Sequence, residues 1–322
     1  MKKNICVVGF GSVGPTHAAA LSKIENVNLY GICDVDRERA NIGALQYNCK
    51  AFYEFEDCLK DEQIDTVHIC TPHYLHYEMI EKCLKAGKEV VTEKPVTMKP
   101  EEFSSLLENH ADSPIHVVMQ NRTNNCVKAM KEIIDTDTSI GNLLCAKGFL
   151  TWHRDESYYQ KGEWRKLLAE AGGGVLMNQS IHTLDLMIYL AGNVKNVQAS
   201  MSNKSLQGII EVEDTVDAVL QFENGATGIF YATNAYGKNS KPQLELEFEH
   251  TSFLYMNGNL FRDGELICSD DRTYSGKDYW GSGHARLIYD LYMNHTSFTI
   301  KDVRNTMETM FSMYASANTE RK

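Results

Sequence analysis

The chain opens with an apolar strand pattern, a glycine-rich turn, a helix pattern and a second strand pattern that ends on an acid. Residues 4–8 are mostly apolar and lead directly into Gly9-Phe10-Gly11-Ser12-Val13-Gly14, a G-x-G-x-x-G turn. A helical pattern follows over residues 17–23, and a strand pattern over residues 27–33 ends at Asp34. In such a unit the glycines allow a tight turn, close approach of the backbone to a pyrophosphate, and close packing of helix on strand. The pattern therefore predicts a dinucleotide site in which the acid accepts the ribose hydroxyls.

The acid and two arginines bear on the choice of cofactor. Asp34 favours NAD, because a carboxylate repels the 2′-phosphate of NADP. Arg37 and Arg39 lie close enough in sequence to soften this preference, and they are equally consistent with solvated residues on the helix predicted over residues 37–47. The sequence therefore predicts NAD and leaves NADP possible.

Two regions of the chain differ in the order of their elements. Strand and helix patterns alternate over the first 120 residues, which predicts a parallel, doubly wound sheet. Past Gly141 strand patterns dominate, and Asn224-Gly225, Asn257-Gly258 and Asp263-Gly264 mark tight turns. We therefore predict an α/β protein with a Rossmann domain over residues 1–122 and an α+β domain over residues 123–322. The second domain is expected to hold a mainly antiparallel sheet with helices on one side.

Charge and cysteine usage exclude several functional classes. The 32 basic and 43 acidic residues give a net charge of −11, which disfavours a nucleic-acid partner. Nine cysteines are scattered singly with no C-x-x-C pattern, which is typical of a reduced, cytoplasmic protein without a cysteine metal site. The apolar run near the start breaks at Gly9, and no apolar stretch reaches the roughly 18 residues of a membrane span. We expect a cytoplasmic protein with no membrane association and no metal.

Two segments follow the ends of predicted parallel strands. Thr71-Pro72-His73, with His76 shortly after, comes behind the strand pattern over residues 66–70. Glu93-Lys94-Pro95 comes behind the strand pattern over residues 89–92. Ligands of open α/β sheets bind beyond the carboxyl ends of the strands, so both segments are candidates for a site. Taken alone, Lys94 is better explained as a solvated loop lysine and Pro95 as a strand terminator, and it is their position after the strand that favours a site. The Lys94–Pro95 bond is a candidate for the cis isomer.

Polar residues recur along a largely apolar helix pattern over residues 175–190, which follows three glycines, 172 to 174. Asn178, His182, Asp185 and Tyr189 are spaced i, i+4, i+7 and i+11, which places them on one helix face. Such a stripe either faces solvent or lines a site. His182 and Asp185 lack the spacing and the further ligands of a metal site.

An aromatic and basic cluster precedes these glycines. It consists of Trp152, His153, Arg154, Tyr158, Tyr159, Trp164 and Arg165. Aromatic rings with arginines suit the faces and hydroxyls of a sugar or polyol. They suit a protein interface equally well, so composition leaves the two open.

Together these segments resemble the Gfo/Idh/MocA family, which is named for glucose–fructose oxidoreductase, inositol dehydrogenase and MocA-like proteins. The resemblance runs nearly end to end. The segments that carry it are the glycine turn with Asp34, Thr71-Pro72-His73 with His76, Glu93-Lys94-Pro95, Asn121-Arg122, Gly172-Gly173-Gly174-Val175-Leu176 with His182 and Asp185, and Phe222-Glu223-Asn224-Gly225-Ala226. It implies a Rossmann domain followed by a domain with an open-faced antiparallel sheet. Subunits pair through that face, so a homodimer or homotetramer is expected.

The resemblance also implies an activity and a set of site residues. Family members use NAD(P) to oxidise a secondary alcohol of a sugar, cyclitol or related polyol, or to reduce the ketone. The implied catalytic residues are His182 as general base, Lys94 as the cation that orients and stabilises the oxygen, and Asn178 one turn before His182. The implied cofactor-binding residues are Gly9, Phe10, Gly11, Ser12, Val13, Gly14, Asp34, Thr71, Pro72, His73, His76, Glu93, Lys94 and Arg122. The implied substrate-binding residues are Lys94, Arg122, Trp152, Tyr158, Trp164, Arg165, Asn178 and His182.

Asn178 departs from the pattern of many family dehydrogenases, which carry aspartate there. Asparagine can orient by hydrogen bonds but cannot take a charge, so the hypothesis is that His182 and Lys94 suffice without a third proton-carrying group. Two other functions stay open. One is an NAD-dependent hydrolase or lyase that oxidises its substrate transiently, and the other is a non-catalytic NAD-binding sensor or regulator.

Overall fold

Two sheets organise the computed structural model, one in each of two units, and residues 2–271 and 282–319 are described. The first unit consists of Met1–Thr97, Glu101–Gln120 and Ser282–Val303. The second consists of Met98–Pro100, Asn121–Gly281 and Arg304–Lys322. The predicted division at residue 122 assigns residues 282–303 to the second domain, whereas they pack within the first unit.

The described residues form strands and α-helices in the following order. The strands are β1 (Lys3–Val8), β2 (Val27–Cys33), β3 (Lys50–Phe52), β4 (Thr66–Ile69), β5 (Glu89–Thr92), β6 (Ile115–Val117), β7 (Leu143–Thr151), β8 (Val194–Ser202), β9 (Thr215–Phe222), β10 (Thr227–Thr233), β11 (Gln243–Phe248), β12 (Ser252–Met256), β13 (Asn259–Arg262) and β14 (Glu265–Ser269). The helices are α1 (Gly14–Leu21), α2 (Arg37–Tyr47), α3 (Phe55–Lys60), α4 (His76–Lys85), α5 (Pro100–His110), α6 (Asn125–Thr136), α7 (Glu156–Gln160), α8 (Leu168–Ala171), α9 (Ile181–Ala191), α10 (Gly283–Met293) and α11 (Arg304–Thr319).

The sheet of the first unit is parallel throughout, with strand order β3-β2-β1-β4-β5-β6. The order reverses between β1 and β4, and ligands of such sheets bind at this switch point, beyond the carboxyl ends of the strands. The glycine turn follows β1 and the Thr71 segment follows β4, so both lie at the switch point. The predicted doubly wound Rossmann sheet is confirmed.

The core of the first unit explains why these segments form strands. The apolar run of β1 is buried from Ile5 to Val8, as expected of a strand covered on both faces of a parallel sheet. Helix α10 packs against α1 and contributes Leu287 and Ile288 to the same core. This packing places residues 282–303 in the first unit, because a helix with an apolar face is stable only where that face is covered.

The second unit holds an eight-stranded sheet of order β14-β13-β12-β11-β7-β10-β9-β8. All neighbours are antiparallel except β7 and β10, which pair in parallel. The predicted turns join β9 to β10, β12 to β13 and β13 to β14, and the last two have positive φ at both central residues, 60° and 70° at Asn257-Gly258 and 52° and 84° at Asp263-Gly264. The mainly antiparallel sheet and the α/β fold class are confirmed.

Within residues 2–271 and 282–319, helices cover one face of this sheet and leave the other face uncovered. Helix α9 packs on β7, and α11 packs on β8 and α9. Strand β9 alternates buried and exposed residues, so Val219 points away from the helices and is 43% exposed, as is Ile229 of β10 at 50%. Among the described helices, none combines the length and the apolar character that crossing a bilayer requires.

Candidate active site

The glycine turn is shaped by close backbone approaches. Gly9 has φ +90° and donates its N–H to the carbonyl of Cys33 at 2.8 Å. A Cβ on Gly9 would lie 2.7 Å from the carbonyl oxygen of Cys70, and one on Gly14 would overlap the carbonyl oxygen of Gly9. A Cβ on Gly11, by contrast, would meet only the guanidinium of Arg39, at 3.6 Å. Protein packing therefore requires Gly9 and Gly14, whereas Gly11 leaves an open backbone face that fits a pyrophosphate.

Asp34 ties the glycine turn to the end of β2. Its Oδ2 accepts the N–H of Phe10 at 2.7 Å, and its Oδ1 accepts the N–H of Asp36 at 2.8 Å. A guanidinium nitrogen of Arg39 lies 3.6 Å from Oδ2. The guanidinium of Arg37 lies instead over the ring of Tyr53, 4.6 Å from its centroid. Of the two arginines, Arg39 is therefore the one beside the predicted ribose acceptor.

His76 links the two loops that follow β4 and β5. Its Nδ1 lies 2.7 Å from the carbonyl oxygen of Pro95, and its Nε2 lies 2.9 Å from that of Thr71. Burial lowers the pKa of His76, although both carbonyls favour its protonated form. His73 is also buried, with its ring 5.9 Å from that of His76. Both histidines thus lie inside the first unit, where His76 fixes the loop backbones.

Glu93 is buried beside two histidines that the sequence analysis did not single out. Its Oε1 lies 3.1 Å from Nε2 of His17 and 3.4 Å from Nε2 of His284, and its Oε2 accepts the backbone N–H of Lys94 at 3.3 Å. Burial would raise the pKa of Glu93, but the hydrogen bonds from His17 and His284 hold it well below its usual range. The Lys94–Pro95 bond is cis.

Lys94 is half-buried at the carboxyl end of β5. Its positive charge adds to the effect of burial in lowering the pKa of both His76 and His284. The ammonium therefore lies within electrostatic range of both imidazoles, at the loop edge of the first unit where the glycine turn also lies. Among the described residues, the predicted cofactor residues of the first unit lie at this edge, whereas Arg122 belongs to the second unit.

The buried histidines predict how the stability of the protein depends on pH. Burial lowers the pKa of His68, His76 and His284 in the folded state. Below about pH 6.5, these three histidines are protonated in the unfolded chain but stay neutral in the folded protein. The free energy of unfolding therefore falls as pH falls. We expect a slope of up to about 4 kcal/mol per pH unit, at about 1.4 kcal/mol for each of the protons. Urea unfolding measured at about pH 7.5 and about pH 5.5 checks this.

A variant separates this effect from general acid sensitivity. His68→Gln removes one of the three groups. The free energy of unfolding of this variant should therefore depend less steeply on pH, by up to about 1.4 kcal/mol per pH unit. Replacing the exposed His250 by glutamine should leave the slope unchanged. Equal free energies of unfolding at both pH values in the unmodified protein would contradict the expectation.

The helix predicted over residues 175–190 has two parts. It begins with a π-helical turn, Val175–Ser180, and continues as α9. Asn178 lies in the π turn and His182 in the first turn of α9, and both are half-buried. Because a π turn holds more residues than an α turn, the predicted alignment of Asn178 over His182 does not have regular α-helical spacing. Such turns occur frequently at functional sites.

The three glycines before this turn are explained by close packing within the second unit. Gly172 has φ +75°, which disfavours any other residue. A Cβ on Gly173 would overlap the hydroxyl of Tyr314, and one on Gly174 would overlap the carbonyl oxygen of Glu213. The glycines therefore let the π turn approach two neighbouring segments closely.

Glu213 is a positioning residue that the sequence analysis missed. Its buried carboxylate accepts the N–H of Gly174 at 2.8 Å, the N–H of Leu176 at 3.0 Å and the hydroxyl of Tyr314 at 2.8 Å. Burial raises the pKa of Glu213, although these bonds oppose the shift. It thereby holds the start of the turn that carries Asn178. The adjacent acids Glu213 and Asp214 directly before β9 were the available sequence signal.

Asp185 differs from the other members of the predicted polar stripe. It is fully buried and accepts two hydrogen bonds from Arg122, at 2.9 and 2.6 Å, and one from the hydroxyl of Thr306, at 2.8 Å. The guanidinium of Arg122 also lies 4.7 Å from the ring centroid of Tyr189. Removing one partner of such a buried pair is strongly destabilising, so Arg122 and Asp185 hold α9 to neighbouring segments. Asn178, His182 and Tyr189 are the half-buried members of the stripe, and the ring of Tyr189 lies against the guanidinium of Arg122.

Five members of the aromatic and basic cluster form an alternating stack, which consists of Trp152, Arg154, Tyr158, Arg165 and Trp164. The guanidinium of Arg154 lies 4.6 Å from the ring of Trp152 and 5.0 Å from that of Tyr158. The guanidinium of Arg165 lies 5.5 Å from the ring of Tyr158 and 4.9 Å from that of Trp164. Trp152 itself is buried and donates its indole N–H to the carbonyl of Ser240 at 2.9 Å. The hydroxyl of Tyr158 accepts a hydrogen bond from Gln179 at 3.2 Å, which connects the stack to the π turn.

Comparisons with known proteins agree with this geometry. Residues 3–120 match a family model described as an oxidoreductase family with an NAD-binding Rossmann fold, and residues 127–253 match the GFO/IDH/MocA C-terminal domain. Levoglucosan dehydrogenase of Pseudarthrobacter phenanthrenivorans is 27% identical over 321 residues, covering 87% of this chain and 81% of that protein. Myo-inositol 2-dehydrogenase of Thermotoga maritima is 27% identical over 316 residues, covering 94% of this chain and 88% of that protein.

A solved structure shows the same fold. Levoglucosan dehydrogenase in complex with NADH and levoglucosan superposes with a TM-score of 0.88 at 21% identity. The match covers 99% of this chain and 98% of that chain. Both the six-stranded and the eight-stranded sheet therefore belong to a known two-sheet architecture.

Proposed function

Because the chain belongs to the Gfo/Idh/MocA family of NAD-binding oxidoreductases, we propose that it transfers a hydride between nicotinamide and a secondary alcohol or ketone. The substrate is a sugar, a cyclitol or a related polyol. The observation that carries this proposal is the match, over 87% and 94% of the chain, to relatives named levoglucosan dehydrogenase and myo-inositol 2-dehydrogenase. The family resemblance also implies the two chemical groups that such a reaction needs, the ammonium of Lys94 and the imidazole of His182.

The residues at the switch point fit a dinucleotide. The open face of Gly11 and the first turn of α1 would hold the pyrophosphate, and Asp34 would accept the ribose hydroxyls. The loops that His76 links, with Thr71, Pro72 and Lys94, would line the nicotinamide end. Bound NAD would supply the nicotinamide ring, which accepts the hydride. Glu93 and His76 direct their polar atoms at protein groups, and His73 is buried beside His76, so we assign all three to shaping this pocket rather than to direct contact.

Lys94 and His182 are assigned to the reacting oxygen. The His182 imidazole takes the hydroxyl proton as the carbon loses its hydride, and the Lys94 ammonium stabilises the negative charge that develops on the oxygen. Asn178 orients the substrate by hydrogen bonds, and its amide group does not take up the hydroxyl proton. Arg122 is assigned to positioning, because its guanidinium is held by Asp185.

The alternating stack is assigned to substrate recognition. Aromatic faces contact the C–H face of a sugar ring, and guanidinium groups donate to its hydroxyls. Tyr158, Trp164 and Arg165 are half-buried and present such groups, whereas Trp152 is buried and supports them. The stack thus favours a hydroxylated ring as substrate.

A panel assay tests the proposed function. Sugars, cyclitols and keto-sugars are offered with NAD(H) and with NADP(H), and the reduced cofactor is followed by absorbance. We expect net formation or consumption of NADH with at least one compound. Loss of a substrate leaving group without net NADH would indicate the hydrolase or lyase alternative, and tight NAD binding without any turnover would indicate a sensor.

Asp34 predicts the choice of cofactor. Asp34→Ser removes the carboxylate that repels a 2′-phosphate and leaves Arg39 beside the site, so the ratio of kcat/KM for NAD to that for NADP should fall by about 10²-fold or more. Steady-state kinetics with both cofactors measures the ratio. Arg37→Ala is the matched control, since Arg37 stacks on Tyr53, and it should leave the ratio unchanged. An unchanged ratio in Asp34→Ser would remove Asp34 from cofactor recognition.

The uncovered sheet face supports a proposal on how subunits assemble. Val219 and Ile229 are exposed apolar residues that pair directly across β9 and β10, and apolar patches of this kind mark protein interfaces. We assign this face to pairing of subunits in a homodimer or homotetramer, which light scattering would test.

The cysteines support a proposal on location. Within the described residues all nine cysteines are free thiols, which supports a cytoplasmic location.

A further inference from the structure

Three buried side chains of the first unit converge beside Lys94. Nε2 of His17, Nε2 of His284 and the carboxylate of Glu93 all lie within 4.8 Å of one another. His17 is fully buried, and His284 and Glu93 are 4% and 6% exposed. They come from α1, α10 and the loop after β5, so packing of three distant segments brings them together.

The distances around Glu93 define how its oxygens are used. Oε1 lies 3.1 Å from Nε2 of His17 and 3.4 Å from Nε2 of His284, and Oε2 accepts the backbone N–H of Lys94 at 3.3 Å. An ionised carboxylate can only accept hydrogen bonds, so both imidazoles must carry a proton on Nε2 to bond it. Glu93 then accepts from three donors, one of which is the Lys94 backbone.

Further buried groups hold the ring of His17. Its Nδ1 lies 2.8 Å from Nδ1 of His68, and Nε2 of His68 lies 2.8 Å from the hydroxyl of Tyr292. His68 is fully buried and stacks on the ring of Tyr292, with 5.9 Å between centroids. The His17 ring therefore cannot rotate without breaking contacts on both of its nitrogens.

A metal ion is the alternative occupant of this cluster, since two imidazoles and a carboxylate are common ligands. Nitrogen-to-oxygen distances of 3.1 and 3.4 Å occur both in direct hydrogen bonds and between two ligands of one tetrahedral metal ion. The electrostatics of the cluster favours hydrogen bonds. The charge of Lys94 already acts on His284, and a divalent cation would place a second positive charge beside it.

We propose that His17 and His284 are positioning residues that hold Glu93, and through its bond to the Lys94 backbone they fix the direction of the Lys94 side chain. The role of Lys94 rests on the proposed function. The existence of the three-donor arrangement does not, because it follows from contacts within the first unit. His68 and Tyr292 support the arrangement by fixing the His17 ring.

Nitrogen NMR of the unmodified protein tests the arrangement without any activity measurement. With uniformly ¹⁵N-labelled protein, we expect a directly bonded proton on Nε2 of both His17 and His284. A bound metal would leave both Nε2 atoms without a proton, and elemental analysis of the same sample would detect it. Finding either Nε2 unprotonated, or a metal in stoichiometric amount, would overturn the proposal.

Kinetics of variants tests the positioning role. His284→Phe removes the donor, and we expect kcat to fall about 10- to 100-fold with smaller changes in KM, because Lys94 is misplaced rather than absent. His284→Gln restores an N–H near the position of Nε2 and should recover most of the lost kcat. The pair of His116 with Glu89, at the opposite end of β5, offers the matched control, and His116→Gln should leave kcat unchanged.

The outcomes are separable. Wild-type kcat in folded His284→Phe, or no recovery in His284→Gln, would overturn the positioning role. If His284→Phe does not fold, His17→Gln and the NMR measurement still decide. Absence of turnover in the unmodified protein would refute the proposed function, while the NMR result on Nε2 would stand by itself.

Discussion

Replacing Lys94 by alanine is expected to lower kcat by about 10²- to 10³-fold while NAD still binds. The reason is that the ammonium stabilises charge that develops on the substrate oxygen only in the transition state, so its loss affects turnover more than ground-state binding. Lys94→Arg should recover little of the lost activity, because a planar guanidinium does not replace a compact ammonium at a confined position. Steady-state kinetics and NAD titration followed by protein fluorescence measure both effects.

A surface lysine of the same unit serves as the control for Lys94. Lys85 of α4 is 75% exposed and pairs with Glu81, so Lys85→Ala should leave kcat unchanged. Wild-type turnover in Lys94→Ala would remove this residue from the mechanism. Loss of NAD binding together with loss of turnover would instead assign Lys94 to the cofactor alone.

Replacing His182 is expected to lower kcat for alcohol oxidation by about 10²- to 10⁴-fold, the usual contribution of a positioned general base. An imidazole must lose its proton before it can act as a base, so oxidation by the unmodified protein should slow at acid pH. His182→Ala should lose this dependence, since the group that titrates is gone. The profile of kcat/KM against pH, measured for both proteins, checks the expectation.

An exposed histidine of the second unit controls for the loss of an imidazole. His250→Ala should retain both the activity and the pH profile. Asn178→Asp adds the carboxylate that many family dehydrogenases carry, and it should leave turnover within about tenfold if His182 and Lys94 suffice. A large gain in that variant would show that the usual third group is needed.

Much of the fold was predictable because its signals are local. The predicted strand over residues 27–33 agrees with β2, the predicted helix over residues 37–47 agrees with α2, and the turn pairs of the second unit lie where they were predicted. These features depend on side-chain periodicity and on glycine or asparagine at positive φ, which neighbouring residues determine. The family resemblance then connected distant motifs that periodicity alone cannot connect.

The remainder depends on tertiary packing. His17 and Glu93 lie 76 positions apart, and no spacing rule brings them together with His284. The assignment of residues 282–303 to the first unit follows from the apolar face of α10 against α1, which resembles many other amphipathic helices in sequence. The π turn and the role of Glu213 were not predicted for the same reason. The hydrogen bonds between them join segments about 40 residues apart in the chain.

Isotope transfer follows the proposed hydride from the substrate carbon to the cofactor. A panel substrate carrying deuterium on the reacting carbon is incubated with NAD, and the reduced cofactor is analysed by mass spectrometry. We expect one deuterium in the nicotinamide ring for each ketone formed, and loss of this transfer in Lys94→Ala and His182→Ala variants that still bind NAD. Deuterium retained in the product or released to water, or transfer undiminished in both variants, would contradict this expectation.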